Sequence, residues 1–293
     1  MSVRMRDVMR LPAAKAAVRL ALDEDLGRPW CDATSVALVD PRAVATGEIY
    51  AKGEGCVVAG ATVAAAVFKA VDPKIKVKVL KRDGSQARPK EPILVFRGKA
   101  RSILAAERTA LNFMQRLSAT ATLTKKFVDA TKRYKTLILD TRKTTPGLRV
   151  FEKYAVTCGG GTNHRFGMFD RVLMKDNHRR LWKGGDPDRL DQAVLAARKR
   201  FPKLAVEVEV ESLRECASAL KARPEWIMLD NMSCADMRKC VKLCRGKVKT
   251  EASGGITLAR AKEVAATGVT AISLGCLTHS AGSVDLSLEW RTT

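Results

Sequence analysis

The sequence is poor in aromatic residues and has no long hydrophobic run. Phe, Trp and Tyr together make up 5% of the 293 residues. The longest apolar run, from Cys56 to Phe68, is interrupted by Gly60 and Thr62 and falls well short of the ~20 residues that a membrane-spanning helix needs. The sequence therefore predicts a protein that does not enter a membrane.

Paired cysteines are also lacking. Cys240 and Cys244 lie one helical turn apart, but no second pair stands at the spacing of a zinc site. We interpret the cysteines as reduced thiols, mostly in the core, which favours the cytoplasm as the compartment. The eight cysteines are Cys31, Cys56, Cys158, Cys216, Cys234, Cys240, Cys244 and Cys276.

Acidic residues are few compared with basic ones. The chain has 53 Lys and Arg against 31 Asp and Glu, for a net charge of +22. Such a charge favours an anionic partner, which can be nucleic acid, an acidic membrane or a multiply charged small substrate. Because the basic residues are spread along the chain and no zinc-finger or RNP-type motif occurs, nucleic acid is disfavoured. Solvated surface is an equally good explanation for much of the excess.

The N-terminal third has the pattern of a compact α+β unit. The Arg-rich start, Met1 to Arg10, can mimic a transit peptide, but Asp7 and the helix that follows favour an ordinary N-terminus. Helices are predicted at Pro12–Leu26 and Ala61–Val71. Short strands are predicted at Gly47–Tyr50, Cys56–Ala59, Ile75–Leu80 and Ile93–Phe96, with a turn at Asp83-Gly84. A long helical stretch, Arg101–Tyr134, follows.

From residue 136 onwards, strand and helix patterns alternate regularly. Repeated strand–helix units of this kind close into parallel barrels. Six strands are recognisable, two fewer than a complete barrel has, so we predict an incomplete α/β barrel. The predicted strands are Thr136–Asp140, Arg171–Lys175, Leu204–Val210, Trp226–Asp230, Val248–Ser253 and Thr270–Gly275. The predicted helices are Asp188–Arg200, Ser212–Ala222, Ala235–Cys244 and Leu258–Thr267.

Polar residues gather at the carboxyl ends of these strands, where α/β barrels carry their active sites. Several cations follow the first two strands, and guanidinium groups match carboxylates or phosphates in geometry. The cations are Arg142, Lys143, His164, Arg165 and Lys175. Two acids, Glu209 and Asp230, end neighbouring strands and suit Mg²⁺ bound to a diphosphate; ribose hydroxyls are an alternative partner. The pattern predicts an enzyme that binds a polyanionic substrate.

Two glycine clusters have different interpretations. Ser253-Gly254-Gly255 precedes a helix, so its backbone N–H groups can approach a phosphate. Gly159-Gly160-Gly161 leads to His164 and is either a mobile connection or a hinge that lets a loop close over substrate.

The run from Asp140 to His178, DTRKTTPGLRVFEKYAVTCGGGTNHRFGMFDRVLMKDNH, resembles the quinolinate phosphoribosyltransferase family. The resemblance extends over nearly the whole chain in the family's order. It includes EDLG at Glu24–Gly27, AERTALNF at Ala106–Phe113, VEVE at Val206–Glu209, LDN at Leu229–Asn231 and EASGGIT at Glu251–Thr257. The chain departs from the family's usual residues at Trp30–Ala33 and at Ser118–Thr122. Both departures lie outside the residues assigned to the site.

The resemblance implies a type II phosphoribosyltransferase fold, in which an N-terminal α/β sandwich lies beside an incomplete, seven-stranded α/β barrel. We place the sandwich at residues 1–116 and the barrel at residues 117–279, with the tail 280–293 able to pack on the sandwich. The resemblance further implies Mg²⁺, the substrates quinolinate and phosphoribosyl pyrophosphate, and a homodimer or higher homo-oligomer with shared active sites.

The resemblance also implies a role for each matching residue. Arg142, His164, Arg165 and Lys175 match positions that hold the two quinolinate carboxylates, and Lys143 matches one between the two substrates. Glu209 and Asp230 match the acids at the ribose and the magnesium. Ser253, Gly254, Gly255 and Gly275 match the cradle of the 5-phosphate. Arg108 matches an arginine that reaches the site from the neighbouring subunit.

Three alternatives remain at this point. A related transferase could use nicotinate or a pyrimidine-like acceptor, but a monocarboxylate would leave buried cations unpaired, which is costly. A Schiff-base aldolase could use Lys143 or Lys175 as its nucleophile. A basic nucleic-acid-binding protein would show a steep salt dependence of its affinity.

Overall fold

The structure, a computed structural model of the 293-residue chain, describes residues 8–182, 184–186 and 188–291. Most of the Arg-rich start, Met1–Arg10, lies outside the described residues. Within it, Val8–Arg10 form a short 3-10 helix, and a second one spans Lys132–Tyr134. Among the helices described, none combines the length and the apolar character that a membrane span requires.

Helices and strands alternate through most of the chain. The helices are α1 Pro12–Leu26, α2 Ala33–Leu38, α3 Ala61–Val71, α4 Ala100–Thr131, α5 Arg149–Cys158, α6 Asp176–Arg180, α7 Leu190–Arg200, α8 Leu213–Leu220, α9 Cys234–Cys244, α10 Leu258–Ala265 and α11 Cys276–His279. The strands are β1 Val44–Ala51, β2 Cys56–Val57, β3 Lys76–Val79, β4 Gln86–Ala87, β5 Pro92–Lys99, β6 Leu137–Leu139, β7 Val172–Met174, β8 Val206–Val210, β9 Trp226–Asp230, β10 Lys249–Ser253, β11 Ala271–Ser273 and β12 Leu286–Trp290.

The chain forms two compact units, each built from separate stretches of sequence. The barrel unit comprises Lys126–Arg142 and Gly161–Gly275. The antiparallel unit comprises Lys143–Gly160 together with the described parts of Ser2–Lys125 and Cys276–Thr293. The sequence-based boundaries at residues 116/117 and 279/280 stay predictions.

The antiparallel unit is organised around a four-stranded sheet in the order β12-β1-β5-β3. Phe96 of β5 stacks on Phe68 of α3, with ring centroids 4.9 Å apart, so the helix covers one face of the sheet. A Cβ at Gly47 of β1 would lie 2.7 Å from the Phe96 ring, which explains glycine inside this strand. The C-terminal strand β12 completes the sheet by pairing antiparallel with β1.

The helix predictions in this unit are confirmed because local signals mark their ends. Helix α1 has Pro12 in its first turn and Gly27 at its C-terminus, with φ +73°. Helix α3 occupies the predicted residues, and Asp83 accepts a hydrogen bond from the N–H of Ala61 at 2.9 Å. The predicted turn at Asp83-Gly84 is present, with Gly84 at φ +87°. The side chain of Asp83 in this turn also caps α3.

The two departures from the family's residues have local structural roles. Asp32 caps α2 by accepting a hydrogen bond from the N–H of Ser35 at 3.0 Å. On α4, the hydroxyl of Ser118 lies 3.0 Å from the N–H of Ala59, and that of Thr122 lies 2.9 Å from the N–H of Val57. These hydroxyls therefore satisfy backbone groups next to the short strand β2.

The barrel unit contains a six-stranded parallel sheet in the order β6-β11-β10-β9-β8-β7. An isolated parallel bridge between Leu139 and Thr162 adds a seventh position beside β6. The Thr162 N–H donates to the carbonyl of Ile138 at 2.8 Å, and the Asp140 N–H donates to the carbonyl of Thr162 at 3.3 Å. The seventh strand that the resemblance implies is thus present as one bridged residue.

The parallel sheet curls on itself. His164, two residues after the bridge at Thr162, has its ring Nε2 3.1 Å from a carboxylate oxygen of Glu207 on β8. On a flat sheet, Thr162 and β8 would be five strand spacings apart, roughly 24 Å. The contact therefore requires the sheet to close most of the way around, as an incomplete barrel does.

Alternation along β8 explains how the barrel places its charges. The sequence VEVEV is buried at every residue. Because successive side chains of a strand point to opposite faces, the three valines lie on one face and Glu207 and Glu209 on the other. The contact of His164 with Glu207 shows that the acidic face is the inner one.

Six helices and strands were not recognised in the sequence: α2, α5, α6, α11, β4 and β12. Helix α5 lies within the run from Asp140 to Gly161, which we interpreted only as polar loops; it buries Glu152 and Lys153, so its charges hide its helical pattern. Gly159 ends this helix, and a Cβ there would lie 2.4 Å from the carbonyl oxygen of Ala121. Close packing thus accounts for this first glycine of the cluster. The other five have at most six residues each.

Candidate active site

Glu209 and Asp230 lie on one face of neighbouring strands. In the register of β8 with β9, Glu209 stands opposite Met228. Asp230 lies two residues beyond Met228 and therefore on the same face, nearer the carboxyl end. Glu209 is 7% exposed, and its Oε2 lies 2.8 Å from Nζ of Lys175. This ion pair joins a predicted carboxylate-binding cation to a predicted metal ligand, so the two predicted sites are adjacent.

The loop after β10 forms a tight cradle next to Asp230. Gly254 and Gly255 have φ values of +94° and +54°, a region that favours glycine. A Cβ at Gly254 would lie 2.1 Å from Oδ1 of Asn231, which itself has φ +53° and donates from Nδ2 to Asp230 at 2.9 Å. The glycine is therefore required by close approach, and the N–H groups ahead of α10 can face an anion.

The predicted cations Arg142 and Arg165 are brought close together in the barrel unit. Arg165 is 9% exposed, and its Nη1 donates to the carbonyl of Arg171 at 3.2 Å. Burial lowers the pKa of Arg165, and the charge of Arg142 lowers it further. Two cations that repel each other in a partly buried place are stabilised by a polyanionic ligand.

A buried cluster is formed around His164, the residue before Arg165. The ring Nε2 of His164 is 3.1 Å from Glu207 and 3.5 Å from Glu251. Both carboxylates are fully buried, and Arg171 donates to Glu207 at 3.0 Å. Burial and the neighbouring charge of Glu207 raise the pKa of Glu251; burial also opposes ionisation of Glu207, but His164 and Arg171 outweigh it and lower that pKa. The surroundings therefore favour the ionised form of Glu207 and oppose ionisation of Glu251.

The same cluster has the spacing of a metal site, since its ligand atoms lie within 4.8 Å of one another. Its centre, however, already has a cation beside it. Nη1 of Arg171 lies 3.0 Å from Oε2 of Glu207 and 3.5 Å from Nε2 of His164. A metal ion bound to those two atoms would be repelled by the guanidinium, so the cluster fits protons and Arg171 better than a metal.

Arg108 and Lys143 belong to the antiparallel unit. Arg108 is exposed on α4, next to Thr109, which lines a cavity of about 410 Å³ within this unit. Lys143 is exposed, and its carbonyl accepts a hydrogen bond from the hydroxyl of Thr278 at 2.6 Å. Gly275 is the last residue of the barrel unit, directly before α11.

Sequence reasoning did not assign four residues that hold the predicted site in place: Glu207, Glu251, Arg171 and Asn231. Glu207 was visible as the first acid of VEVE, and Glu251 as the first residue of EASGGIT. Strand alternation puts Glu207 on the same face as Glu209, and that signal was available. The Asn231 contact with Gly254 joins two strands and has no signature in either segment.

Models of one protein family match both halves of the chain. The quinolinate phosphoribosyl transferase N-terminal domain matches residues 32–118, and the C-terminal domain of the same family matches residues 120–289. The chain belongs to the quinolinate phosphoribosyltransferase family. The Asp140–His178 run and most of the shorter motifs lie within the matched ranges. The motif at Glu24–Gly27 lies just before them.

Relatives match over most of their own length as well. The chloroplastic nicotinate-nucleotide pyrophosphorylase (carboxylating) of Oryza sativa subsp. japonica is 40% identical, with 95% of this chain and 78% of that protein covered. The probable nicotinate-nucleotide pyrophosphorylase (carboxylating) of Bacillus subtilis is 41% identical, with 83% and 82% covered. The solved nicotinate-nucleotide pyrophosphorylase of Francisella tularensis is 39% identical, with a TM-score of 0.88 and 95% and 96% covered. The predicted fold of the family is confirmed.

Proposed function

We propose that the chain joins quinolinate to phosphoribosyl pyrophosphate and releases diphosphate and carbon dioxide, forming nicotinate mononucleotide for NAD synthesis. Membership of the quinolinate phosphoribosyltransferase family supports this function. The observation that carries it in the structure is the crowding of Arg142 and Arg165 in a partly buried place, where burial and then the charge of Arg142 lower the pKa of Arg165. A dicarboxylate compensates such a pair of cations, whereas a neutral acceptor does not.

The reaction needs positioning and electrostatic stabilisation. The pyridine nitrogen of quinolinate forms a bond to the anomeric carbon as the bond from that carbon to diphosphate breaks. Positive charge develops on the sugar, and carboxylates such as Glu209 and Asp230 stabilise it. The ring nitrogen then withdraws electrons, so the adjacent carboxylate leaves as carbon dioxide and a proton takes its place. Holding the two reactants together can supply roughly 7–11 kcal/mol.

The site roles extend this proposal. Arg142, His164, Arg165 and Lys175 bind the quinolinate carboxylates. Ser253, Gly254, Gly255 and Gly275 bind the 5-phosphate. Lys143 acts between the two substrates. Two left-handed glycines ahead of α10 support the phosphate assignment, since they expose backbone N–H groups that a side chain would otherwise cover.

Mg²⁺ is the proposed cofactor, held by Glu209 and Asp230 directly or through water. The donor set fits, because both residues offer carboxylate oxygens from adjacent strands and Mg²⁺ prefers such hard ligands alongside substrate phosphates. The ion would neutralise charge on the departing diphosphate. We expect Asp230→Asn to weaken donor use or Mg²⁺ dependence while leaving quinolinate binding nearly intact. Calorimetry with each substrate separately tests this, and the reverse pattern would reject the assignment.

A homodimer or higher homo-oligomer with shared sites is also proposed, in which Arg108 completes the site of the neighbouring subunit. The exposed position of Arg108 on α4 is compatible with such a contact. The test mixes two inactive variants, Arg108→Ala and Arg142→Ala, and lets their subunits exchange. One site of each mixed dimer then has both arginines, so activity returns. No recovery, with exchange confirmed by mass spectrometry, would rule out the shared site.

The proposed compartment is the cytoplasm. All eight cysteines are free, and six of them are buried, which is typical of a reducing compartment. Plant relatives are named as chloroplastic or mitochondrial, so localisation of a fluorescent fusion is the direct test.

The decisive assay measures quinolinate consumption and carbon dioxide release in the presence of phosphoribosyl pyrophosphate and Mg²⁺. Nicotinate, which lacks one carboxylate, is the matched control acceptor. Each lost contact to a buried carboxylate should cost on the order of 2–5 kcal/mol. Nicotinate turnover within about tenfold of quinolinate, which is only ~1.4 kcal/mol, would contradict the proposal.

A further inference from the structure

We propose that Glu152 is a positioning residue for the reaction, and that it fixes the backbone segment from which Lys143 reaches the two substrates. The inference rests on the proposed function, in which Lys143 acts between quinolinate and phosphoribosyl pyrophosphate. It adds a residue that neither the sequence patterns nor the family resemblance assigned to the site. Its basis is a set of hydrogen bonds within the antiparallel unit that converge on residues 143–145.

Glu152 holds Thr145, which lies two residues after Lys143. Its carboxylate is fully buried on α5. Oε2 of Glu152 accepts from the N–H of Thr145 at 3.0 Å, and Oε1 accepts from the hydroxyl of the same residue at 2.7 Å. The two bonds hold both the backbone and the side chain of Thr145, because each occupies a different carboxylate oxygen.

Thr278 holds Lys143 itself. The hydroxyl of Thr278 donates to the carbonyl of Lys143 at 2.6 Å, and the carbonyl of Thr278 accepts from Nη2 of Arg116 at 2.5 Å. The same Arg116 nitrogen lies 3.2 Å from Oε1 of Glu152. The Arg116–Glu152 pair therefore holds Thr145 directly, and it holds Lys143 through Thr278.

The residue between Lys143 and Thr145 is also held by α5. Nε of Arg149 donates to the hydroxyl of Thr144 at 3.0 Å. The side chain of Lys143 is exposed, and a lysine has a flexible four-carbon stem. The position of its backbone therefore decides which space its ammonium group can reach, and fixing that backbone preorganises the group.

Stability alone does not explain a buried carboxylate at this place. Taking a carboxylate and a guanidinium out of water costs about as much as their attraction returns, and apolar residues of similar volume often stabilise a core equally well. An apolar side chain at residue 152, however, could not accept the two hydrogen bonds from Thr145. The contacts of Glu152 therefore favour a role in holding residues 143–145.

Hydrogen exchange of the protein without substrate tests these contacts directly. Glu152→Met keeps the length of the side chain but offers Thr145 no strong acceptor. We expect an amide in the peptide spanning residues 143–148 to exchange faster in this variant, by roughly tenfold or more. Unchanged exchange of this peptide would overturn the proposal.

Asp72 provides a matched control in the same unit. It likewise accepts from one backbone N–H, that of Lys74 at 2.9 Å, and from one hydroxyl, that of Ser102 at 3.1 Å. We expect Asp72→Leu to leave the exchange of the 143–148 peptide unchanged and to keep kcat/KM for quinolinate within about twofold. Faster exchange of that peptide in the control as well would show a general loosening of the unit and would count against a specific role of Glu152.

A double-mutant cycle links the contacts to the reaction. We expect Glu152→Met to lower kcat/KM for quinolinate roughly 10- to 100-fold, because a misplacement of about 1 Å at a reacting site can cost that much. In Lys143→Ala protein the same change should lower the remaining activity less than about threefold, since no ammonium group is left to misplace. Equal factors in both backgrounds would show that residue 152 acts on the fold alone, against the proposal.

Two milder variants keep the test decisive if Glu152→Met does not fold. In Glu152→Gln the amide oxygen can still accept the Thr145 N–H, so we expect kcat/KM to stay within about tenfold of the unmodified protein. Thr278→Val removes the hydroxyl that holds Lys143 and should lower kcat/KM about three- to tenfold, an effect that disappears in Lys143→Ala protein. No loss in Thr278→Val, or an equal loss in both backgrounds, would contradict the positioning of Lys143.

The positioning role and the proposed function can fail separately. Hydrogen exchange is measured without substrate, so it tests the hold of Glu152 on residues 143–145 even if the unmodified protein does not consume quinolinate. Lack of quinolinate consumption would reject the proposed function, whereas unchanged exchange in an active enzyme would reject the positioning role alone. Circular dichroism of every variant controls for folding.

Discussion

Two strands of this molecule have the same alternating sequence pattern but differ in the burial of their charged residues. Strand β3, KVKV in the antiparallel unit, exposes its lysines, while β8, VEVEV in the barrel unit, buries every residue. Both alternate charge with valine, so both predict one apolar and one polar face. The difference lies in what the polar face meets, which is solvent in one sheet and the inside of a curled sheet in the other. An alternating charge in a parallel sheet is therefore a better indicator of function than the same charge in an antiparallel one.

The largest expected effect is on catalysis, and it compares one arginine from each unit. Arg142→Ala removes a cation of the predicted carboxylate site, and Arg97→Ala removes an exposed one from β5. At a cost of about 2–5 kcal/mol, the first should lower kcat/KM for quinolinate roughly 30- to several thousand-fold. The second should leave it within about twofold. Steady-state kinetics with both variants measures this, and equal losses would remove the distinction between the two sheets.

The next effect is on stability and uses the two strands themselves. Glu207→Gln leaves Arg171 and the buried cluster without their anion, which should cost about 3 kcal/mol of unfolding free energy. Lys78→Gln, the matched change on the exposed face of β3, should cost less than about 0.5 kcal/mol. Urea unfolding of both variants gives the comparison. If Glu207→Gln were as stable as the control, the buried carboxylate would have no structural role.

Local signals in the sequence were enough to predict most elements. The strand Trp226–Asp230 and the helices Pro12–Leu26 and Ala61–Val71 have the predicted bounds, because glycine, proline and periodic apolar residues mark their ends. The gathering of polar residues at the carboxyl ends of the barrel strands could also be predicted, since parallel strands bring these ends to one side. Helix α5 could not, because its buried charges break the apolar periodicity.

Contacts between distant segments could not be predicted. The strand β12 has no partner near it in the sequence, and it pairs with β1 more than 230 residues away. The cluster of His164, Glu207 and Glu251 joins three segments, and the pairing that brings them together appears only when the sheet curls. Sequence patterns give the face of each residue, whereas the closing of the sheet decides which faces meet.

The smallest expected effect concerns a carboxylate whose pKa shifts in the opposite direction to that of Glu251. Burial raises the pKa of Glu251 in the barrel unit, whereas Asp23 of the antiparallel unit is surrounded by donors. A hydrogen bond from Arg28 lowers the pKa of Asp23 to about 2; burial opposes this, and donors from Trp30 and Arg19 add to it. The indole of Trp30 donates at 2.7 Å. The contrast is between an acid whose surroundings oppose ionisation and an acid whose surroundings favour it.

Asp23→Asn should therefore change the acid end of the stability profile. A depressed pKa contributes stability that is fully present above the ordinary carboxyl pKa, near 4, and is lost as the pH falls through about 2. The wild type should be more stable than Asp23→Asn from pH 4 upwards, and the two curves should converge as the pH approaches 2. Urea unfolding at intervals between pH 2 and pH 6 measures the gap, and Asp40→Asn, an exposed aspartate of the same unit, is the control. Curves that already meet at pH 4, or a control with the same profile, would show that Asp23 titrates as an ordinary surface carboxylate and that its donors contribute nothing.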